Sequence, residues 1–171
     1  MITDRHTNKV YFSSWLPQTC PKLWTELQKV LQENNVDTAL LNCTNDIWCR
    51  DFMPIQIAPD KMVFYDYNPD YLQRKKKYIT NTKMLASMFV RVMPKVAIKF
   101  LKLIIDGGNI VKCGDTIVMT EKVFHENKEY SREDIVEMLH YAFECDIMFP
   151  EEEFDRFYIE SILPPVHDCP F

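Results

Sequence analysis

The chain has 171 residues, a formal net charge of −5 at pH 7 and an apolar fraction of 47%. This length suits one domain with its own core, and the acidic balance argues against binding nucleic acid, which needs a basic face. The first residues contain no apolar signal region, and three lysines and an arginine interrupt the longest apolar stretch, residues 84–105. We therefore predict a cytoplasmic protein with no membrane span.

The six cysteines have no CxxC spacing and lie in apolar or strand-like runs, which argues against a disulfide framework or a zinc site. The chain has only three glycines, and Gly107 and Gly108 are adjacent. In so glycine-poor a sequence, this pair predicts unusual backbone geometry or close packing.

The first third of the chain predicts a strand–helix–strand unit. Residues 10–16 are rich in aromatic and β-forming types and predict a strand. From residue 21 the apolar residues recur at helical spacing, which predicts a helix over residues 21–34 that begins with a proline. The short apolar run of residues 38–42 predicts a covered strand.

The middle of the chain predicts a hairpin, a helix and a strand. Residues 54–58 and 61–67 flank a Pro-Asp turn and predict the hairpin. A helix over residues 81–92 and a strand over residues 96–105 follow, the helix ending before a proline. Between the hairpin and this helix, the basic run of residues 74–77 is interpreted as a solvated loop.

The same order returns once more. Residues 109–113 and 116–120 predict a hairpin around a Gly-Asp turn, and Ser131 predicts the N-cap of a helix. Residues 145–149 predict the strand that follows. The sequence therefore predicts an α/β fold of ββαβ modules, about two and a half of them. We predict one domain over residues 1–149 and a divergent tail, 150–171, that packs on it or on a partner.

The loop that follows the strand predicted over residues 38–42 gathers polar groups around a tryptophan. A carboxylate such as Asp51 is the natural partner of a planar guanidinium, and the face of Trp48 would add cation–π attraction. In the alternative interpretation, Arg50 pairs with Asp46 or Asp51 and fixes a loop over a buried tryptophan. Residue types alone leave both open.

A second acidic segment follows the strand predicted over residues 96–105. Asp106 precedes Gly107 and Gly108, and the glycines would let its carboxylate approach a partner closely. Alternatively, Asp106 caps local backbone amides in a turn.

Together, the Trp-x-Arg-Asp-x-x-Pro motif and the Asp-Gly-Gly-Asn-Ile motif, about fifty residues apart, resemble the agmatine deiminase and bacterial peptidyl-arginine deiminase family. The likeness covers most of residues 7–149, including the hairpin end at residues 119–122. It implies an α/β propeller (pentein-like), of which this chain would form two to three of five blades. It also implies hydrolysis of a guanidinium to a ureido group and ammonia by a cysteine, a histidine and two carboxylates, without metal or cofactor.

The resemblance implies a role for each motif residue. Asp51 would hold the guanidinium, Trp48 would wall the pocket, and Arg50 would brace the loop. Asp106 stands where the family usually has glutamate and would orient the catalytic histidine. We thus assign Asp51 and Asp106 to catalysis and Trp48, Arg50, Asp51 and Asn109 to substrate binding.

Two family motifs have no counterpart: a Gly-His-x-Asp segment and a glycine-rich loop with the nucleophilic cysteine. His167, Asp168 and Cys169 have the right residue types but lack flanking glycines. Met53 also replaces the glycine usual before the proline. We therefore expect the N-terminal half of a deiminase, truncated before the catalytic histidine and cysteine and inactive alone.

Several alternatives stay open. The chain could be a half-enzyme completed by a second chain or by homo-oligomerisation, since a partial propeller leaves blade edges uncovered. It could be a non-catalytic guanidinium-binding or protein-interaction module, or an α/β protein whose motif is only structural. The expected ligand is a small guanidinium compound, agmatine or arginine, or peptidyl-arginine.

Overall fold

The computed structural model describes residues 6–150. Within them, the strands are β1 (Val10–Ser13), β2 (Thr38–Leu41), β3 (Ile55–Ala58), β4 (Lys61–Asp66), β5 (Ala97–Ile104), β6 (Val111–Cys113), β7 (Thr116–Val118) and β8 (Asp146–Met148). The α-helices are α1 (Trp15–Thr19), α2 (Pro21–Glu33), α3 (Cys49–Phe52), α4 (Thr82–Val92), α5 (Lys122–Glu126) and α6 (Arg132–Phe143). The tail predicted over residues 150–171 lies, but for its first residue, outside the described residues.

The strands form small mixed sheets that repeat one plan. In the sheet β3-β4-β5, a hairpin joins β3 to β4 antiparallel, and α4 crosses over so that β5 lies parallel to β4. The sheet β6-β7-β8 has the same order and directions, with α5 and α6 in the crossover. The parallel pair β1-β2, joined through α1 and α2, is an incomplete copy. This confirms the prediction of two and a half modules.

The prediction of a strand over residues 10–16 is wrong at the C-terminal end of that range. β1 stops at Ser13, and Trp15 begins α1. The Ser13 hydroxyl accepts the Trp15 backbone N–H at 3.1 Å, and the Trp15 indole donates to the Thr44 carbonyl at 2.7 Å. These side-chain bonds outweigh the β preference of the aromatic residues.

Two apolar clusters form the core and meet at the central sheet. One cluster packs Leu103 and Ile105 against Leu139 and Phe143 of α6. The other packs Phe64 against Phe89 of α4, with ring centroids 5.7 Å apart. Because side chains alternate along β4 and β5, the central sheet contributes to both clusters and holds the two outer parts of the fold together.

The first unit is covered less completely than the other two. α2 contains no buried side chain, and Leu23 and Val30 are 55% and 54% exposed. By contrast, α4 and α6 each bury four residues. In the part of the chain that the structure describes, no helix is long and apolar enough to cross a bilayer.

Candidate functional site

The two motif segments meet because one glycine leaves no side chain between them. α3 follows β2 and the turn at Gly107–Asn109 follows β5, and these two short elements contact each other. A Cβ at Gly107 would overlap the Arg50 carbonyl and the Tyr65 hydroxyl. The close packing predicted from the adjacent glycines is confirmed. Gly107 is required because the backbone of α3 occupies the side-chain space.

The tyrosine beneath this contact fixes the loop that carries Asp51. The Tyr65 hydroxyl lies 2.8 Å from the Met53 carbonyl oxygen and 3.2 Å from the Asp51 carbonyl oxygen. Tyr65 is fully buried, and its burial raises the pKa of the phenol. The phenol thus stays a neutral donor to both backbone carbonyls.

The carboxyl groups of Asp51 and Asp106 lie side by side. Burial raises the pKa of Asp51 to about 7, helped by the charge of the Asp106 carboxylate and by the hydrogen bond between the two groups. Two adjacent, partly buried carboxylates cannot both ionise cheaply, so the pair takes up a proton as the pH falls through about 7. The structure therefore brings together the two residues assigned to catalysis.

Asp106 has further partners. Its Oδ1 accepts the Gly108 backbone N–H at 3.0 Å, so the turn-capping interpretation also describes it correctly. Its Oδ2 lies 3.2 Å from the Lys122 Nζ and 3.3 Å from the Tyr71 hydroxyl. Lys122 also lies over the Tyr71 ring, 4.9 Å from the centroid. Asp106 therefore caps the glycine turn with one oxygen and contacts Lys122 and Tyr71 with the other.

Sequence reasoning missed the tyrosines and the lysine of this cluster. The hydroxyls of Tyr67 and Tyr71 lie 3.2 Å apart, and burial raises the pKa of Tyr71 to about 12. Both phenols therefore remain neutral hydrogen-bond groups. The one available signal was Lys122, which ends the hairpin segment already compared with the family.

The ion pair of Arg50 with Asp46 or Asp51, which one interpretation of the sequence required, is wrong for the described residues. The Arg50 Nη2 donates instead to the Ile110 carbonyl, across the contact between the two motif segments. This bond favours the bracing role, and it uses part of the guanidinium that a substrate-binding role would need.

Asn109 is directed at the protein backbone. Its Oδ1 accepts the Thr120 N–H at 2.8 Å, and its Nδ2 lies 3.4 Å from the Thr120 carbonyl. These bonds fasten the second motif to the hairpin β6-β7. The substrate-binding role of Asn109 stays a prediction, and the observed contacts do not require a ligand.

Trp48 is not buried, although the interpretation in which Arg50 fixes a loop over this tryptophan required it to be. It is 56% exposed and precedes α3, where its carbonyl accepts the Asp51 N–H at 3.1 Å. Its side chain lines an open groove of about 510 Å³ together with Trp15, Asp46 and Tyr78. Burial raises the pKa of Asp46. An aromatic surface with a carboxylate therefore borders the segment that carries Asp51.

Cys43 and Cys49, the two cysteines that most closely precede Asp51 in sequence, lack the environment of a nucleophile. Cys49, two residues before Asp51, is half-buried, and the partial burial raises the pKa of its thiol to about 12. Burial also raises the pKa of Cys43, whose thiol lies 3.7 Å from the Met88 sulfur. A catalytic cysteine needs a lowered pKa. The cluster at residues 167–169 lies outside the described residues.

The histidines, cysteines and acids of the described residues form no metal centre. His140 Nδ1 lies 2.9 Å from the Cys145 carbonyl oxygen at the end of α6. Among residues 6–150, no group of three or more histidine, cysteine or acidic side chains could hold a metal ion. That the site needs neither metal nor cofactor stays a prediction.

Solved structures share this architecture. An agmatine deiminase from C. jejuni matches with a TM-score of 0.61 and 18% identity over 84% of this chain and 53% of its own. A putative arginine deiminase from Porphyromonas gingivalis gives 0.61 and 11% over 83% and 53%. DDAH from Pseudomonas aeruginosa gives 0.51 and 14% over 79% and 51%. The chain spans about half the length of these proteins.

These likenesses, with the repeated ββαβ modules, define the fold class as a partial α/β propeller of the pentein type. No curated protein sequence matches the chain. The model of the Porphyromonas-type peptidyl-arginine deiminase family matches residues 19–149, which include both acidic motifs. The chain belongs to that family.

Proposed function

We propose that this chain binds a guanidinium group at the Asp51–Asp106 carboxyl pair, as part of a deiminase-type site. The observation that carries the proposal is the juxtaposition of these two acids, with the pKa of Asp51 raised to about 7. A guanidinium is planar and cationic, so it can donate parallel hydrogen bonds to carboxylates and supply the charge that the pair lacks.

Binding at this pair is coupled to a proton. As the pH falls through about 7, the unoccupied pair takes up a proton, because burial disfavours the charged form and the two negative charges repel each other. A bound cation removes that repulsion, so the ionised form of Asp51 becomes favourable and the proton leaves. Lys122 already gives partial compensation, since its charge lowers the pKa of Asp51. The ligand therefore shares Asp106 with this lysine.

The family supports a guanidinium compound as the ligand and hydrolysis to a ureido group and ammonia as the reaction class. One structure of the C. jejuni agmatine deiminase has substrate bound, and the Pseudomonas aeruginosa DDAH structure is a complex with citrulline. We propose agmatine, arginine or peptidyl-arginine for this chain. Trp48 would contact the part of the ligand that leaves the carboxyl pair, because its groove borders the Asp51 segment.

We propose binding without turnover for this polypeptide alone. The support is the state of the thiol nearest the carboxyl pair in sequence, since Cys49 is half-buried and its raised pKa keeps it protonated near neutral pH. A thiolate would have to attack the guanidinium carbon, and a proton shuttle would have to assist the departing ammonia. Ammonia assays with agmatine and with a peptidyl-arginine substrate are expected to show no release above the buffer rate.

A site completed by a second polypeptide, including a second copy of this chain, is the alternative that one observation favours. The apolar residues Leu23 and Val30 of α2 are more than half exposed, at 55% and 54%. An exposed apolar face of this kind favours association. The complete site would then lie between chains.

The test of binding is the thermal shift caused by agmatine in the wild type and in Asp51→Asn. The wild type should show a saturable rise in Tm, and the variant should lose it because one carboxylate of the pair is gone. Asp60→Asn, in the exposed turn between β3 and β4, is the matched control and should keep the rise. If Asp51→Asn kept the full agmatine shift, the carboxyl pair would not be the binding site.

A further inference from the structure

An open cleft of about 800 Å³ lies between the start of α4 and one face of β5. Neither Asp51 nor Asp106 lines it. Phe100, Lys102 and Ile104 alternate along β5 and line the cleft, so they share a face of the strand. The cleft is therefore a second cavity, separate from the carboxyl pair.

Positive side chains surround the cleft. Three lysines line it, Lys76, Lys83 and Lys102, against two acids, Asp66 and Glu129. The Lys83 Nζ lies 3.4 Å from the Asp66 Oδ1, so this lysine and this acid largely compensate each other. Lys76 and Lys102 have no ion-pair partner among residues 6–150. The cleft thus keeps two uncompensated ammonium groups against one carboxylate.

The floor of the cleft carries two threonines whose hydroxyl protons are free to donate. Thr80 and Thr82 are only 1% and 4% exposed, and both line the cleft. The Thr80 Oγ1 accepts the Asn45 N–H at 3.0 Å, which leaves its own proton available. Within residues 6–150, the Thr82 hydroxyl has no hydrogen-bond partner. A ligand in the cleft could therefore accept a hydrogen bond from each threonine.

The amide at the start of α4 adds another donor. The Asn81 Oδ1 accepts the N–H groups of Lys83 and Met84 at 3.0 and 3.1 Å, and this leaves the Asn81 Nδ2 uncommitted. The 11-residue helix also directs the positive end of its dipole to this point.

Two amide oxygens that line the cleft already accept hydrogen bonds from the protein. The Asn127 Oδ1 accepts the Ile104 N–H at 2.7 Å, and the Asn68 Oδ1 accepts the Gln73 amide at 3.0 Å. The carboxylate oxygens that remain are those of the exposed Glu129 and the Oδ2 of Asp66, whose Oδ1 faces Lys83. The two threonine hydroxyls, the Asn81 amide and the two unpaired ammonium groups can all donate, and such a set of donors suits a multiply charged oxyanion.

We propose that this cleft binds a small phosphate-bearing molecule. Lys76 and Lys102 would hold the charge, while the hydroxyls of Thr80 and Thr82 and the Asn81 amide would donate to phosphate oxygens. The site is independent of the carboxyl pair and does not require the proposed guanidinium binding.

The experiment is a titration of the full chain with inorganic phosphate and with pyrophosphate at constant ionic strength, followed by calorimetry and by the backbone ¹⁵N–¹H shifts of residues 80–83. Saturable binding with shifts at these amides is expected. Lys102→Gln and Lys76→Gln should each raise Kd about two- to fivefold, as for exposed charge contacts. Thr82→Val should also raise Kd because it removes one donor at nearly constant volume.

Lys95→Gln, an exposed lysine outside the cleft, is the matched control and should leave Kd unchanged. The proposal fails if binding does not saturate, if Lys95→Gln weakens it as much as Lys102→Gln, or if sulfate binds as tightly as phosphate. Lys102→Gln should leave the agmatine shift in place. If the wild type shows the agmatine shift but does not bind phosphate, the phosphate site is disproved and the guanidinium proposal is untouched.

Discussion

The carboxyl groups of Asp51 and Asp106 meet beside Gly108, where an added Cβ would lie 3.1 Å from the Asp51 Oδ1 and 3.2 Å from the Asp106 Oδ1. The two acids follow different strands, β2 and β5, in different modules. Each of the two segments supplies only one acid of the pair, so neither segment forms the pair by itself. The relationship depends on the contact between α3 and the glycine turn, so the site is a property of how two modules meet.

We predict that agmatine binds more weakly as the pH falls. The pKa of Asp51 is raised to about 7, so below that pH the free pair must lose a proton before it accepts a cation. Each pH unit below 7 should then reduce the affinity by up to about tenfold. Calorimetry in two buffers of different ionisation enthalpy checks this, because the heat should differ by the proton released. Equal heats in both buffers would contradict it.

We predict that Asp51→Asn stabilises the fold at pH 8. A raised native pKa means that the unfolded chain ionises first, so the wild type loses stability as pH rises from about 4 to about 7. The asparagine escapes this loss. After a discount for solvent screening, the gain in the free energy of unfolding should be about 1–2 kcal/mol at pH 8 and smaller at pH 5. Urea unfolding at both pH values measures it, and an equal gain at both would count against the raised pKa.

We predict that Lys122→Met raises the pKa of Asp51 further. The charge of Lys122 lowers the pKa of Asp51, and the Lys122 Nζ lies 3.2 Å from the Asp106 Oδ2. ¹³C NMR titration of the aspartate carboxyl groups should show the upward shift. Lys128→Met is the control, because that lysine is exposed and outside the cluster. The same shift in the control would assign the effect to net charge.

We predict that Gly107→Ala strongly destabilises the protein. Its Cβ would overlap the Arg50 carbonyl and the Tyr65 hydroxyl, and forcing atoms into filled space costs about 1–3 kcal/mol or more. Gly114→Ala is an informative comparison, since nothing lies within 4 Å of its added Cβ, although its φ of +59° disfavours alanine. Urea unfolding should rank Gly107→Ala as the more destabilising. The reverse order would argue against the tight contact.

We predict that the chain self-associates through the exposed face of α2. Leu23→Gln with Val30→Gln should lower the apparent mass in size-exclusion chromatography, because both apolar groups become polar. Met84→Gln with Val90→Gln changes exposed apolar residues of α4 and serves as the control. A wild type that elutes as a monomer at every concentration would rule out a site shared between copies.

The sequence predicts most of the modular fold because its signals are local. The apolar spacing that predicted a helix over residues 21–34 corresponds to α2 at Pro21–Glu33, and Ser131 caps α6 as expected, accepting the Asp134 N–H at 3.1 Å. α1 was missed because the bond of the Ser13 hydroxyl to the Trp15 N–H competes with an extended strand.

The site was less predictable because its contacts join distant positions. The family motifs indicated Asp51 and Asp106, yet the hydroxyl of Tyr71 reaches Asp106 across 35 positions of sequence, and no local pattern marks it. Arg50 bonds a carbonyl 60 positions away where charge pairing had been one interpretation. Such partners depend on how the modules dock, which periodicity does not specify.

The backbone contact at Gly107 sets the spacing of the two acids by main-chain geometry. Side-chain changes elsewhere in the modules can therefore alter what surrounds the pair while the pair itself stays in register. A designer who wished to change the ligand of this scaffold would keep Gly107 and the two acids, and would vary the side chains around the pair.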